Sequence, residues 1–157
     1  MKQNKDISLS EVVAALPPPK QEILEEMHRL ALGAGFKPFP SKSAKKEDTY
    51  KIEYKKLKKD DPLYILRVYS GKWNIRCKLF HLDSYVNLLY NLSESALQEV
   101  LSSKECKGEA SGCTVGVKFL AKDKEYELCR HGIHFNELSK EDIASVWGLL
   151  QAESAYR

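Results

Sequence analysis

The segment LYILRVYSGKWNIRCKLF, residues 63–80, decides the fold. Two apolar-rich runs flank Ser70 and Gly71, and a turn pair between two strand-like runs indicates an antiparallel hairpin. In the second run apolar and polar residues alternate, which is the period of a strand with one buried face. We expect the buried face to carry Trp73, Ile75, Cys77 and Leu79, and the other face to carry Asn74, Arg76 and Lys78. Cys77 is therefore predicted to be a core thiol.

The same alternation extends the sheet toward the N-terminus. In residues 50–55 three apolar side chains alternate with Lys51, Glu53 and Lys55. The turn-forming run KKDDP follows at residues 58–62. A meander of three antiparallel strands is the simplest arrangement of these segments.

Two helices are predicted before the meander. Residues 8–16 have a helical apolar period, and the three prolines at 17–19 end that helix because they remove hydrogen-bond donors. A second helix is predicted over about residues 19–33, with proline in its first turn. Gly33 and Gly35 are expected to end it in the left-handed conformation.

Further helices and a hairpin are predicted after the meander. Two short helices open at Asp83 and Ser93. A hairpin with Lys122 and Asp123 as its two-residue loop follows. This loop length would place Phe119 opposite Tyr126, and Val117 opposite Leu128, with the apolar side chains of both strands on one surface.

The last predicted helix spans residues 139–154. Ser139 with Asp142 three residues later resembles a capping box at its start. Its apolar face is expected to carry Ile143, Val146, Trp147 and Leu150.

Together these segments predict an α+β fold, in which an antiparallel meander and a hairpin form a sheet covered by helices in the order αα-βββ-αα-ββ-α. We expect one domain over 1–157. Within it, 1–18 is an N-terminal helix with a proline linker, and 37–48 is a mobile lysine-rich loop.

The sequence predicts a cytosolic location. The first residues lack the apolar run of a secretory signal, and no window approaches a membrane span, so we expect a cytoplasmic protein without a membrane partner. Its four cysteines are then expected to be free thiols. The charge is divided: residues 1–79 hold 17 Lys/Arg against 10 Asp/Glu, and residues 80–157 hold 8 against 12. Such a division favours contact with a polyanion through the first half, or reflects two solvated faces.

The second half resembles a family of small, uncharacterised bacterial proteins. The residues that carry the resemblance are IRCKLFHLDSY (75–85), a cysteine-bearing loop, the hairpin that ends at Cys129 and the closing helix. In that family the loop looks like Cys-x-x-Cys-x-x-x-Cys, and the matching positions are Cys106, Glu109 and Cys113. The resemblance implies no activity. The order of helices and meander is also similar to MmcQ/YjbR-type domains, which concerns the fold alone.

The cysteine loop is the candidate metal site. Thiolates hold zinc tetrahedrally when closely spaced ligands converge, and the available ligands are Cys106, Cys113 and Cys129 with Glu109, His131 or His134. Six residues separate Cys106 from Cys113, which is wider than the usual spacing of two to four. We therefore expect free thiols and no bound zinc, with a Cys-ligated zinc protein as an alternative.

The lysine-rich segment is the candidate nucleic-acid surface. Nine lysines lie between Lys37 and Lys59, with aromatic residues among them, and such residues track phosphates and stack on bases. The predicted contacts are Lys45, Lys46, Lys51, Lys55, Arg76 and Lys78, and Arg67 and Lys72 would extend this surface along the neighbouring hairpin. A solvated face is the simpler interpretation, because the sequence holds none of the common nucleic-acid-binding signatures.

Catalysis has no positional support in the sequence. The chain lacks a nucleophile elbow, a Walker loop, a dinucleotide fingerprint and a His-Glu-x-x-His motif. The leading hypothesis is therefore a non-enzymatic cytosolic binding or accessory module without a cofactor, whose ligand is a protein or a small molecule. The alternative is a nucleic-acid-associated protein that binds weakly through the basic region Lys37–Lys78.

Overall fold

The computed structural model describes five stretches of the chain. They are residues 7–46, 48–103, 116–129, 133–136 and 138–157. The chain divides into two compact units, Met1–Ile75 and Arg76–Arg157, and each unit is described by itself. The single domain expected over 1–157 stays a prediction.

The first unit opens with helix α1, Leu9–Ala14. Ser8 caps it through a reciprocal pair of hydrogen bonds: its Oγ accepts from the N–H of Glu11, and the Glu11 carboxylate accepts from the N–H of Ser8. This capping box satisfies two backbone donors and fixes where the helix starts.

Helix α2 spans Pro18–Gly33 and begins directly after Pro17. Proline is tolerated at this end because the first helical N–H groups have no partner within the helix. Gly35 takes the left-handed conformation with φ 85, whereas Gly33 is the last helical residue. The prediction that both glycines are left-handed was therefore wrong for Gly33.

Four strands follow in the first half of the chain: β1 Lys37–Lys42, β2 Thr49–Lys55, β3 Tyr64–Tyr69 and β4 Lys72–Cys77. β2 pairs antiparallel with both β1 and β3. Ser70 and Gly71, both at positive φ, connect β3 to β4 as predicted. The predicted loop over 37–48 is wrong for its first half, because residues 37–42 form β1.

Helix α2 packs on one face of these strands. His28 Nδ1 lies 3.0 Å from the hydroxyl of Tyr54, whose ring stacks on Tyr64 at 4.5 Å between centroids. The hydroxyl of Tyr64 donates to the carbonyl of Met27 at 3.2 Å. Burial lowers the pKa of His28 and raises that of Tyr54. Two buried tyrosines thus keep their polar ends satisfied inside the core of the first unit.

The second unit begins with two 3-10 turns, Leu82–Ser84 and Val86–Asn91, where the sequence predicted one short helix opened by Asp83. Asp83 is exposed and caps no helix, so this prediction was wrong. Helix α3, Glu94–Leu101, is capped as predicted, since the Oγ of Ser93 accepts from a first-turn N–H.

The hairpin of β5, Val117–Ala121, and β6, Lys124–Leu128, has the predicted register. Phe119 lies opposite Tyr126, and Val117 lies opposite Leu128. Both loop residues, Lys122 and Asp123, have positive φ, at 49 and 60. A two-residue loop of this kind is the type I′ geometry that matches the twist of a hairpin.

A 3-10 turn at Lys140–Asp142 leads into helix α4, Ile143–Ala155. The predicted capping box is not formed, because the Ser139 hydroxyl donates to the Asp142 carboxylate and accepts from no helical N–H. Asp142 is buried and also accepts from the N–H and the hydroxyl of Ser93, at 2.8 and 2.7 Å. It therefore ties the start of α4 to the start of α3.

The fold class is α+β with an antiparallel sheet, as the sequence predicted. The larger sheet has the strand order β1-β2-β3-β4 from its edge at β1, and β7, Ile133–Phe135, is a short strand of the second unit. β5 and β6 form a separate two-stranded sheet, whereas the sequence predicted that the hairpin would share one sheet with the meander. Sequence periodicity missed β1 and β7.

Candidate nucleic-acid interface

Strands β1, β2 and β3 present a face opposite to the one covered by α2. Because paired residues of neighbouring strands point to the same side, the register fixes which side chains share it. One row across the strands holds Ser41, Lys51 and Arg67, and the next holds Phe39, Glu53 and Ile65. Lys37 pairs with Lys55, and Thr49 pairs with Tyr69. We call these ten residues the basic face.

The basic face contains one carboxylate among four cations. The cations are Lys37, Lys51, Lys55 and Arg67, and the carboxylate is Glu53. Glu53 Oε1 accepts from the Nζ of Lys51 at 3.0 Å, and its Oε2 accepts from the Nζ of Lys55 at 3.0 Å. Burial raises the pKa of Glu53, but its hydrogen bonds and ion pairs with the two lysines outweigh this and hold the pKa below its ordinary value.

Solvent exposure of the side chains decreases from Lys51 through Glu53 to Lys55. The side chains of Lys51, Glu53 and Lys55 are 42, 23 and 11% exposed. The Lys55 ammonium also lies 5.1 Å from the ring centroid of Phe39, which is within cation–π distance. Lys55 is thus held by a carboxylate and by a ring, whereas Lys51 reaches solvent.

Two of the six predicted nucleic-acid contacts, Lys51 and Lys55, lie together on this face. Lys45 and Lys46 are exposed in the loop after β1, where both backbone N–H groups donate to the Oγ of Ser43. The other two predicted contacts, Arg76 and Lys78, belong to the second unit and are not assigned to the face.

Sequence reasoning left Lys37 out of the predicted contacts and named Arg67 only as an extension of the predicted surface. The signal for Arg67 was the position of a cation between apolar residues of a predicted strand. Its alignment with Lys51 depends on the register between two strands, which the spacing within one strand does not give.

The predicted zinc ligands fall mostly outside the described residues. This holds for Cys106, Glu109, Cys113 and His131. Cys129, after β6, is a free and half-buried cysteine. Within the stretches that the structure describes, no three His, Cys, Asp or Glu side chains come together as a metal site. The zinc hypothesis therefore stays a prediction.

The second unit contains a buried carboxylate that the sequence analysis did not identify. Glu153 on α4 accepts from the hydroxyl of Tyr85 at 2.6 Å and from the backbone N–H of His81 at 3.0 Å. His81 Nδ1 lies 3.1 Å from its other oxygen, and Arg157 Nε lies 3.6 Å from the same oxygen. The spacing signal was available, since Glu153 lies three residues after Leu150 on the apolar face of the last helix.

Contacts of Glu153, Tyr156 and Arg157 anchor the C-terminal end of the chain to the segment after β4. The ring of His81 stacks on Tyr156 at 5.2 Å between centroids, and the guanidinium of Arg157 lies over the ring of Phe80 at 5.0 Å and donates to the carbonyl of Lys78. Burial raises the pKa of Glu153, but the hydrogen bonds from Tyr85 and His81 lower it by more, so the pKa lies below its ordinary value. The carboxylate therefore stays ionised and joins two segments of the unit.

Comparison with known proteins assigns no function. No family model, no curated protein and no solved structure matches the chain. Among the described helices, each is too short or too polar to cross a bilayer. Function is therefore argued from the residues themselves.

Proposed function

We propose that the chain is a cytosolic binding module that holds single-stranded nucleic acid on the basic face. The observation that carries the proposal is the register of β1, β2 and β3, which sets Lys51 and Arg67 side by side, with Phe39 and Tyr69 on the same face. Cations bind phosphates, and rings provide surfaces for bases.

The charge of the face favours an anionic ligand. Four cations oppose one carboxylate on a surface built by three strands. Lysine and arginine side chains that neutralise phosphates release condensed counterions, and this release drives association regardless of base sequence. The expected binding is weak and sensitive to salt, because a few cations contact phosphates without reading base edges.

The aromatic residues favour a single strand over a duplex. Phe39 on β1 and Tyr69 on β3 are both half-buried, so part of each ring reaches solvent. They lie two strands and four residues apart, which corresponds to about 16 Å at ordinary strand spacing. A flexible single strand can place unstacked bases on both rings, whereas a duplex keeps its base faces covered.

The test is a titration of fluorescently labelled single-stranded DNA of 12 nucleotides and of the matching duplex, at 50 and 200 mM salt. Binding is expected to be tighter for the single strand and to weaken with salt. Lys51→Gln with Arg67→Gln removes two side-chain charges. The negative slope of log K against log salt should become shallower by about 0.7 for each lost phosphate contact.

Lys20→Gln with Arg29→Gln provides the matched control. Both residues lie on α2, which packs on the opposite face of the sheet, so their replacement also removes one lysine and one arginine charge but leaves the basic face unaltered. If Lys51→Gln with Arg67→Gln binds like the control, or if the wild-type protein does not bind at 50 mM salt, the proposal is wrong. Equal affinity for the duplex would exclude the stacking role of the rings.

A further inference from the structure

We propose that Glu53 acts as an internal competitor for nucleic acid, in that its carboxylate occupies the lysines that a phosphate would bind. This inference rests on the proposed function and adds its regulation. Each carboxylate oxygen accepts from one lysine at 3.0 Å, Oε1 from Lys51 and Oε2 from Lys55. A phosphate offers the same kind of acceptor to the same ammonium groups.

The two lysines are not equally available to a ligand. Lys55 is 11% exposed and lies against Phe39, so leaving Glu53 would also cost its contact with the ring. Lys51 is 42% exposed and has a flexible stem that can turn toward solvent. Lys51 is therefore the lysine that exchanges Glu53 for phosphate, while Lys55 keeps Glu53 in place.

This exchange limits affinity. A phosphate that binds Lys51 must replace an existing ion pair, so the gain is the difference between two similar interactions. The remaining negative charge of Glu53 also repels the incoming phosphate at the centre of the face. Without Glu53, both lysines would be available and the repulsion would vanish.

A purely structural role for Glu53 predicts a different outcome. If the carboxylate only neutralised Lys51 and Lys55, its removal would leave two like charges near each other and would disturb the face. Affinity would then stay the same or fall, whereas the competitor role predicts that affinity rises. The sign of the change separates the two roles.

The experiment measures the affinity of Glu53→Gln for the labelled 12-nucleotide single strand at 50 and 150 mM salt. We expect binding about 5–10-fold tighter than wild type and a steeper salt dependence. Glu25→Gln is the matched control: it makes the same change in net charge at an exposed position of α2, which packs on the opposite face, and it should change affinity less than twofold.

A double-mutant cycle tests whether the gain passes through Lys51. In Lys51→Gln, the additional Glu53→Gln change should raise affinity much less than it does in the wild-type background. An equal gain in both backgrounds would mean that Glu53 acts by net charge alone, which would overturn the exchange.

Failure of this inference is distinguishable from failure of the proposed function. If wild type binds and Lys51→Gln with Arg67→Gln weakens it, but Glu53→Gln binds like Glu25→Gln, the competitor role is wrong and the binding face stands. If neither wild type nor Glu53→Gln binds at 50 mM salt, both are wrong.

If urea unfolding shows that Glu53→Gln does not fold, Glu53→Asp takes its place. Aspartate keeps the charge but is too short to contact both lysines. The affinity of Glu53→Asp should lie between that of wild type and the value expected for Glu53→Gln.

Discussion

Glu53 and Glu153 are two carboxylates with several partners each, and they differ in what those partners are. Glu53 lies on the basic face between two lysine ammonium groups and is 23% exposed. Glu153 is fully buried and accepts from a tyrosine hydroxyl, a backbone N–H and a histidine ring.

Because their partners differ in exposure, the two carboxylates are expected to contribute to different properties, Glu53 to ligand binding and Glu153 to folding stability. Around Glu53, water or a ligand can take over the contact of Lys51, whose side chain is 42% exposed, so losing that ion pair costs little. Around Glu153, the carboxylate itself is fully buried and so is Tyr85, so losing the carboxylate leaves the hydroxyl of Tyr85 unsatisfied. We therefore expect substitutions of Glu153 to alter folding and substitutions of Glu53 to alter binding.

The largest expected effect is that of Glu153→Ala. It removes the acceptor of Tyr85 and His81 and leaves a void in the second unit, so we expect the free energy of unfolding to fall by about 3–5 kcal/mol. Urea unfolding measures it, with Glu141→Ala as the control, because Glu141 is an exposed acid near the start of the same helix. A loss below about 1 kcal/mol would show that Glu153 is not the anchor described here.

The pH dependence of the free energy of unfolding provides a second test of the role of Glu153. The pKa of Glu153 in the folded protein lies below its ordinary 4.5, so the ionised carboxylate stabilises the fold above that pH. This stability is lost as the pH falls through the folded pKa. Unfolding of wild type and Glu153→Gln compared at pH 7 and pH 3 should therefore show a smaller difference at pH 3. A constant difference would contradict the downward shift.

A third prediction compares two thiols. Cys77 is buried in the core, and burial raises the pKa of its thiol, whereas Cys129 is half-buried after β6. Cys77→Ala opens a small void and should cost about 1–2 kcal/mol, while Cys129→Ala should cost less than about 0.5 kcal/mol. Urea unfolding under reducing conditions measures both, and a reversed order would mean that Cys129 has a structural role that its exposure does not reveal.

The smallest expected effect on stability is that of Glu53→Gln. Ion pairs on a partly exposed face contribute about 0–1 kcal/mol, so the unfolding midpoint should stay close to that of wild type. Thermal or urea unfolding checks this alongside the binding experiment. A loss comparable to that of Glu153→Ala would remove the contrast between the two carboxylates.

Alternation of apolar and polar residues predicted β2 and β4, and apolar runs beside two-residue turns predicted β3 and the β5–β6 hairpin. Alternation failed at β1, because the sequence KPFPSK holds two prolines, which argue against a central strand. β1 is an edge strand, and prolines are tolerated there where the missing N–H would face away from the neighbouring strand. β7 has three residues, too few to show a period.

The candidate site was only partly predictable for a related reason. Lys51 and Lys55 follow from the period of one strand, but Arg67 joins them through pairing between strands, and Phe39 lies on a strand that its prolines concealed. Glu153 meets His81 across 72 positions of sequence, and only packing of α4 brings them together. The pattern of residues within one strand or helix predicts which side chains share a face. Contacts between segments distant in sequence can be identified only from the folded structure.

The turn at Lys122 and Asp123 contains backbone strain that a glycine substitution could relieve. Both residues adopt a left-handed backbone, which costs roughly 1 kcal/mol for a residue with a Cβ atom and nothing comparable for glycine. At Lys122 a glycine would lose the ion pair between the ammonium and Glu94. Asp123 is therefore the position at which glycine relieves the backbone strain, and the more stable protein would tolerate the damaging substitutions needed to study each unit.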